Sequence, residues 1–170
     1  MNAAASYNFV VNELFGSVNS VSVKQISVIL DDQSATLSRM AEVLAAKNAD
    51  MRALTVEEAG NFRVVRIIAD NVLWASSALW EAGFTANTAD VVAVEVPDEA
   101  GGLAKLLNII ERAGMEIKYM YPVLSRKNAG ALGGGGMPVL VFKLSGSENT
   151  EEILRLEGIR VLTQGELSAL

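Results

Sequence analysis

One short stretch of the chain combines acidic residues and glycines in a way that suits the binding of a small charged molecule. It runs from Pro97 to Leu107 and reads PDEAGGLAKLL, with leucines at helical spacing after Gly101 and Gly102. Backbone N–H groups in the first turn of a helix lack intrahelical partners and carry the positive end of the dipole, so they can bind a carboxylate. Asp98 either caps this helix or binds an ammonium group. The stretch therefore predicts a site for a zwitterion.

The residue types that are missing exclude most catalytic chemistry. The chain has no cysteine and no histidine, so it has no disulfide, no thiolate metal site, no histidine base and no histidine zinc ligand. Asp98 and Glu116 could form a carboxylate pair, but the sequence supplies no activated nucleophile and no metal-ligand cluster. We therefore expect no enzyme activity, no catalytic residue, no metal and no cofactor.

Charge and hydropathy narrow the class of partner. The 170 residues are 51% hydrophobic, carry a net charge of −6 and contain no basic cluster longer than Arg126-Lys127, which argues against nucleic acid or an anionic membrane as the main partner. No apolar run reaches the roughly eighteen residues that a membrane span needs. Residues 1–22 lack the basic and apolar regions of a signal peptide. We expect a globular, cytoplasmic protein.

The Pro97 stretch has a counterpart earlier in the chain, and the two define an internal repeat. Residues 31–51 and 97–117 align without a gap at an offset of 66, and the apolar strand before each also aligns. The matched pairs include Asp32 with Asp98, Leu37 with Leu103, Leu44 with Ile110, Met51 with Ile117 and Leu54 with Met120.

Each repeat predicts the same order of elements: strand, helix, two strands, helix and a short closing strand. Residues 24–90 and 91–170 form the two predicted units, after an N-terminal extension at 1–23. The predicted fold class is α+β, with two ferredoxin-like βαββαβ units whose antiparallel sheets carry helices on one face. We expect the units to associate side by side. The helices are expected to end at residues that tolerate a left-handed backbone, namely Asn48, Gly83, Gly114 and Gly158.

The second unit resembles an ACT domain, in which an apolar strand leads into an Asp-x-Pro-Gly-x-Leu turn and a helix. An alanine replaces the usual proline, and the motif reads Asp98-Glu99-Ala100-Gly101-Gly102-Leu103. The first unit keeps the acid and the leucine but has lost the proline and the glycine, and reads Asp32-Gln33-Ser34-Ala35-Thr36-Leu37. Residues 24–166 together resemble the small stand-alone tandem ACT proteins.

The resemblance implies an amino-acid sensor that binds its ligand at an ACT–ACT interface and regulates an enzyme of amino-acid metabolism. Such proteins use the acid of the motif and the second residue after the end of the first helix, which are Asp98 and Glu116 in the second unit and Asp32 and Asp50 in the first. The complete set of expected ligand-binding residues is Asp98, Glu99, Ala100, Gly101, Gly102, Leu103, Glu116, Asp32, Gln33, Ser34, Ala35 and Asp50.

Two roles remain open for the acids. Asp98 either caps its helix or binds an ammonium group, whereas capping is favoured for Asp32 because Ala35 adds a Cβ where the motif has bare backbone. If one unit alone binds ligand, we expect it to be the second. An apolar pocket for the side chain of the ligand is expected between the second strands of the units, lined by Tyr119, Tyr121 and Leu54.

Two further features need an interpretation. The glycine-rich run 130–136 lacks the lysine of a phosphate-binding loop and is interpreted as a flexible hairpin connection. Trp80 lies on the helix 71–82 but points away from its apolar face, so either the N-terminal segment or a second chain should cover it. We favour a homodimer.

Three functions from different classes fit these observations. A regulatory amino-acid-binding protein is the first. The alternatives are a regulatory subunit of a biosynthetic enzyme such as acetolactate synthase, whose small subunit also begins with an ACT unit, and a dimerisation scaffold that has lost its ligand. An enzyme is the least favoured.

Overall fold

The computed structural model describes residues 22–31, 36–124, 137–146 and 149–170. The elements follow the order βαββαβ twice, and strand β4 belongs to both runs. In chain order the elements are β1 (Val23–Asp31), α1 (Leu37–Ala46), β2 (Met51–Ala59), β3 (Phe62–Ala69), α2 (Val72–Glu81), β4 (Thr85–Glu95), α3 (Gly102–Arg112), β5 (Glu116–Pro122), β6 (Val139–Ser145), α4 (Thr150–Leu156), β7 (Val161–Leu162) and α5 (Gln164–Ser168).

The described strands form one antiparallel sheet in the order β2-β3-β1-β4-β6-β5, and β7 pairs with β4. The order β2-β3-β1-β4 is that of a ferredoxin-like unit, and β5-β6-β4-β7 repeats it. The first unit runs from β1 to the part of β4 that pairs with β1. The second unit runs from the remaining part of β4 to α5. The predicted α+β class and ferredoxin-like order are confirmed.

Strand β4 belongs to both units. It pairs with β1 from Thr85 to Val91 and with β6 from Val92 to Glu95. The sequence predicted a short closing strand and then a separate strand from Val91, and that break is wrong. No glycine or proline lies between Thr85 and Glu95, so nothing in the local backbone interrupts the strand. The two units are therefore joined by a continuous strand.

The helix ends follow the local signals in the sequence. Asn48, Gly83, Gly114 and Gly158 have φ values of 52°, 84°, 69° and 78°, as the pattern predicted. The N-cap of α1 is Thr36, whose hydroxyl accepts a hydrogen bond of 3.2 Å from the Arg39 N–H. The expected capping of this helix by Asp32 is therefore wrong, because Thr36 lies next to the first helical residue and Asp32 lies four residues earlier.

Three apolar clusters hold the fold together. One lies between α1, α2 and the first sheet half around Ile26 and Leu44, and one lies between α3, α4 and the second half around Val94 and Leu106. The third joins the helix-free faces of both units. It contains Val23, Ala53, Ile68, Val91, Ala93, Tyr121, Val139, Val141, Leu162 and Leu167. The expected side-by-side association thus holds along β4, but the sheet also curls so that its helix-free faces pack together.

The ends of the curled sheet meet at β2 and β5. The N–H of Leu124, just after β5, donates a hydrogen bond of 2.7 Å to the carbonyl of Arg52 in β2. Helix α5 makes a second contact with the first unit, because its Gln164 accepts from the Lys24 N–H at 3.0 Å and donates to the Ala69 carbonyl at 3.2 Å. Both contacts fix the second unit against the first.

Candidate functional site

The turn before α3 takes its shape from two glycines. Gly101 is the N-cap of the helix and has a φ of 92°, which L-residues with a side chain rarely adopt. A Cβ on Gly102 would lie 2.2 Å from the carbonyl oxygen of Pro97. The first helical hydrogen bond runs from the Lys105 N–H to the Gly101 carbonyl at 2.9 Å. Both glycines are therefore required by the turn itself.

Asp98 does not cap α3, because the N-cap position belongs to Gly101. Within the described chain, its side chain is exposed and its carboxylate receives no hydrogen bond. Glu99 and Ala100 are also exposed, and Leu103 is 38% exposed. A hollow of about 810 Å³ lies along the outer side of α3. Gly101 is the one expected ligand-binding residue that lines this hollow. Its other lining residues are Ala104, Lys105, Asn108, Glu111 and Arg112.

The fold does not bring Asp98 and Glu116 together. Glu116 pairs with Ser145 at the last residue of β6, whereas the turn that contains Asp98 follows Val96, whose N–H donates to the Pro138 carbonyl at 2.8 Å. The seven residues of β6 separate these positions by about 20 Å. Glu116 instead contacts Lys118 at 2.6 Å, and this hydrogen bond lowers the pKa of the exposed carboxyl below its ordinary value.

Asp50 of the first unit occupies a better-defined position. Its N–H donates a hydrogen bond of 3.0 Å to Oδ1 of Asp70, and its Oδ2 lies 3.5 Å from Nη2 of Arg52. The Arg52 side chain is 11% exposed. Asp50 therefore offers a carboxylate beside a largely buried guanidinium. The other expected ligand-binding residues of this unit, Asp32, Gln33, Ser34 and Ala35, lie outside the described residues, as does the run 130–136.

A hollow of about 480 Å³ lies beside Asp50 at the junction of the two units. Asn48 and Asp50 supply its polar lining, and Leu124 is the contribution of the second unit. Six apolar residues of the first unit complete the wall, namely Ala41, Leu44, Ala45, Ala49, Met51 and Leu54. This volume lies within the range of small-molecule sites, and the hollow is open to solvent. Leu124 was not expected here, because its place depends on the curl of the sheet.

Asp50 and the Asp98 turn lie at the same end of the molecule. The backbone N–H of Leu124 donates a hydrogen bond to the Arg52 carbonyl, that of Val123 donates to the Val139 carbonyl at 2.9 Å, and that of Val96 donates to the Pro138 carbonyl. These hydrogen bonds connect β2 to the end of β5, then to the start of β6, and then to the chain that enters the turn. The path crosses three strand spacings, or about 15 Å. The chain beside Asp50 is thus connected to the chain that enters the second-unit turn through the junction of the two units.

The expected tyrosine pocket is not open. Tyr121 is buried, and its hydroxyl donates to Oε1 of Gln25 at 2.8 Å. Gln25 donates in turn to the Tyr119 hydroxyl and to Ser27 Oγ, each at 2.9 Å. The guanidinium of Arg66 lies 4.0 Å above the Tyr119 ring. The two tyrosines therefore fill the space between the units, and of the three expected pocket residues Leu54 alone lines the hollow beside Asp50.

The sequence contained a signal for this network that was missed. Gln25 lies in β1 among residues that alternate between the helix face and the helix-free face. It is fully buried, and a polar residue at a buried strand position requires hydrogen-bond partners. A glutamine that is fully buried on the helix-free face of β1 thus marks where the second unit packs.

The described residues contain no group of three or more acidic, histidine or cysteine side chains able to hold a metal ion. In the same part of the chain, every helix is too short or too polar to cross a bilayer.

Comparisons with known proteins agree with this architecture. The family model of the ACT domain pair matches residues 21–170. A solved structure of a protein from Bacteroides thetaiotaomicron is 29% identical, with a TM-score of 0.76 over 88% of this chain and 98% of that one. The ligand-free regulatory subunit of aspartate kinase from Thermus thermophilus is 16% identical, with a TM-score of 0.53 over 80% of this chain and 90% of that one, so this likeness concerns the fold. Curated proteins give no match. The chain belongs to the ACT domain pair family.

Proposed function

We propose that this chain is a regulatory protein that binds an amino acid in the hollow beside Asp50. The observation that carries the proposal is that both units line this hollow, with Asp50 from the first and Leu124 from the second. Membership of the ACT domain pair family supports the regulatory role. We propose 24–90 and 91–170 as the bounds of the two units, with the continuous strand β4 crossing the boundary between them.

The chemistry of the hollow favours a particular kind of ligand. Asp50 lines the hollow and provides a carboxylate for an α-ammonium group, whereas the guanidinium of Arg52 lies 3.5 Å from that carboxylate and does not line the hollow. The remaining wall is apolar apart from Asn48. We therefore propose an amino acid with an aliphatic side chain, whose burial against Leu54 and Leu124 would contribute about 0.8 kcal/mol per CH₂ group.

The position of the hollow suggests how binding would regulate. A ligand there contacts the first unit and Leu124 together, so it binds more tightly when β5 is docked against β2 than when the two separate. By linkage, whatever stabilises the docked arrangement raises ligand affinity by the same factor. A partner enzyme that recognises either arrangement would then respond to the amino acid. In this proposal the chain has no catalytic residue, needs no cofactor, and acts in the cytoplasm without nucleic acid or membrane.

A second arrangement uses the residues that the sequence favoured. Because Asp98 and Glu116 lie at opposite ends of β6, a ligand that contacts both needs the turn of one copy and the strand of another. This arrangement requires a homodimer, with the motif residues 98–103 at the interface. Asp50 is our first choice because its site is complete within one chain.

A thermal-shift screen tests the proposal. The twenty common amino acids are added separately at about millimolar concentration, and at least one with an aliphatic side chain is expected to raise the melting temperature. If none does, the amino-acid proposal fails and the dimerisation scaffold becomes the better account. Capture of a large catalytic subunit would favour the alternative of a biosynthetic regulatory subunit, as in acetolactate synthase.

A further inference from the structure

The hollow beside Asp50 is negative at the place where it is polar. Among the described residues that line it, Asp50 is the one with a charged side chain. That side chain is 35% exposed, and the guanidinium of Arg52, 3.5 Å from its Oδ2, does not line the hollow. A carboxylate has lone-pair sites for about four hydrogen bonds. Asp50 can therefore accept an ammonium group while it keeps its contact with Arg52.

The end of α1 adds negative potential to the same hollow. Leu44 and Ala45 of its last turn line the hollow, together with Asn48 just beyond the helix. The C-terminal end of a helix carries about half a negative charge. The last turn of α1 contains no basic residue that would offset this charge, and Nζ of the following Lys47 contacts Glu81 at 3.4 Å. The electrostatic potential of the hollow thus favours an ammonium group over a carboxylate.

Hydrogen-bond donors for a carboxylate are scarce in the hollow. The N–H groups of Asn48 and Ala49 each donate a bond of 3.0 Å to a carbonyl of the last turn of α1, and the Asp50 N–H donates to Oδ1 of Asp70. Among the described side chains of the lining, the amide of Asn48 is the one donor, and it is neutral. Charge-assisted hydrogen bonds are roughly twice as strong as those between neutral groups. The hollow therefore offers a carboxylate much less than it offers an ammonium group.

We propose that the hollow recognises the ammonium group and the aliphatic chain of its ligand and leaves the α-carboxylate in solvent. This inference rests on the proposed function, in which the hollow is the amino-acid site. Asp50 would accept the ammonium group, and the apolar wall around Leu54 and Leu124 would bury the aliphatic chain. The class of ligand is then wider than amino acids and includes primary aliphatic amines.

Isothermal titration calorimetry of the full-length chain near neutral pH tests the inference with three probes. They are L-leucine, 3-methylbutylamine, which lacks the carboxylate of leucine, and 4-methylpentanoate, which lacks its ammonium group. The dissociation constants of leucine and the amine should agree within about threefold, whereas the acid should bind at least about tenfold more weakly, because it loses a charge-assisted hydrogen bond.

Two variants identify the group that binds the ammonium. Asp50→Asn removes the charge but keeps the shape of the side chain, and it should weaken the binding of leucine and of the amine at least about tenfold. Glu152→Gln removes the same charge from an exposed position on α4, outside the lining of the hollow, and should leave both affinities unchanged. Far-UV circular dichroism verifies that each variant folds, and the comparison of probes on the wild-type chain needs neither variant.

The outcomes separate this inference from the proposed function. Binding of leucine without the amine would overturn the inference and leave the amino-acid proposal standing, because the carboxylate would then be recognised. Binding of the amine without leucine would support recognition through the ammonium group and contradict the amino-acid proposal. Equal affinities of the acid and the amine, or of Asp50→Asn and the wild type, would also overturn the inference. Absence of binding by all three probes would do the same, and the thermal-shift screen decides the amino-acid proposal separately.

Discussion

The hydroxyl of Tyr121 in the second unit donates a 2.8 Å hydrogen bond to Oε1 of Gln25 in the first. Gln25 is fully buried, and the other end of its amide donates to Tyr119 and Ser27. The amide of Gln25 can keep all these partners in one relative position of the two packed faces of the sheet, because any slip of one face over the other would leave a buried polar group unpaired. This contact therefore specifies how the units dock.

Tyr121→Phe should destabilise the protein by about 1–3 kcal/mol, because Oε1 of Gln25 would stay buried without a donor. Urea denaturation measures the change. Ser27→Ala is the matched control and should cost less, since the Gln25 Nε2 group keeps its bond to Tyr119. The double substitution Tyr121→Phe and Gln25→Leu should recover part of the loss. Equal losses for Tyr121→Phe and Ser27→Ala would show that the network does not depend on this bond.

Alkaline pH should lower the folding stability of the protein through ionisation of Tyr121. Burial, with a smaller contribution from Tyr119, raises the pKa of Tyr121 well above its ordinary value of 10.0. A raised pKa means that the folded state favours the neutral phenol, so its contribution to stability is complete below pH 10 and declines as the pH rises through the folded pKa. Urea midpoints between about pH 8.5 and 11 should fall less steeply for Tyr121→Phe than for the wild type. Parallel slopes would contradict this assignment.

The two glycines of the α3 turn should respond differently to alanine. Gly102→Ala places a Cβ against the Pro97 carbonyl, and its cost should be at the upper end of roughly 1–3 kcal/mol. Gly101→Ala meets open space but must adopt a left-handed backbone, which costs about 1–2 kcal/mol. Chemical denaturation of both variants gives the order. A greater loss for Gly101→Ala would mean that the turn relaxes away from Pro97.

Acid should lower the folding stability of the protein through Glu166 in the first turn of α5. Backbone and side-chain hydrogen bonds from Thr163 lower the pKa of Glu166 below its ordinary value of 4.5. A carboxyl whose pKa is lowered in the folded state stabilises the fold at pH values above its pKa in the unfolded chain. This stabilisation is lost as the pH falls through the folded-state pKa. Glu166→Gln should therefore flatten the acid limb of the stability profile below about pH 5. Thr163→Ala removes the hydroxyl bond but keeps the backbone N–H bond to Glu166, so it should flatten the acid limb less than Glu166→Gln. An acid limb that Glu166→Gln leaves unchanged would exclude the capping box as its cause.

The features that the sequence predicted correctly are those that depend on local signals. Apolar periodicity indicated the helices and strands, and the residues at 48, 83, 114 and 158 marked helix ends because a left-handed backbone is a local requirement. The continuous β4 was missed because the repeat suggested a boundary where the chain has no breaker. Thr36, adjacent to the first helical residue, was a local capping signal that the motif alignment obscured.

The candidate site was harder to predict because it depends on how the sheet curls. The alignment indicated Asp50, but it gave no reason for Leu124 to lie beside it, since these residues are brought together by the Leu124–Arg52 bond across the junction. It also paired Asp98 with Glu116, which the antiparallel strand β6 separates. Tertiary register decides both relationships, and a single sequence does not contain it.

A comparison of Asp50→Ala with Asp98→Ala tests the ligand site at the junction of the two units, using the amino acid that gives the largest thermal shift with the wild-type chain. Asp98 is exposed, so Asp98→Ala should fold with a nearly unchanged melting temperature, whereas Asp50→Ala removes the ion-pair partner of the largely buried Arg52 and should melt somewhat lower. The ligand-induced shift of each variant is therefore measured against its own ligand-free melting temperature. Asp50→Ala should abolish the ligand-induced shift, and Asp98→Ala should retain it. Loss of the shift in Asp98→Ala with retention in Asp50→Ala would contradict the site at the junction of the two units.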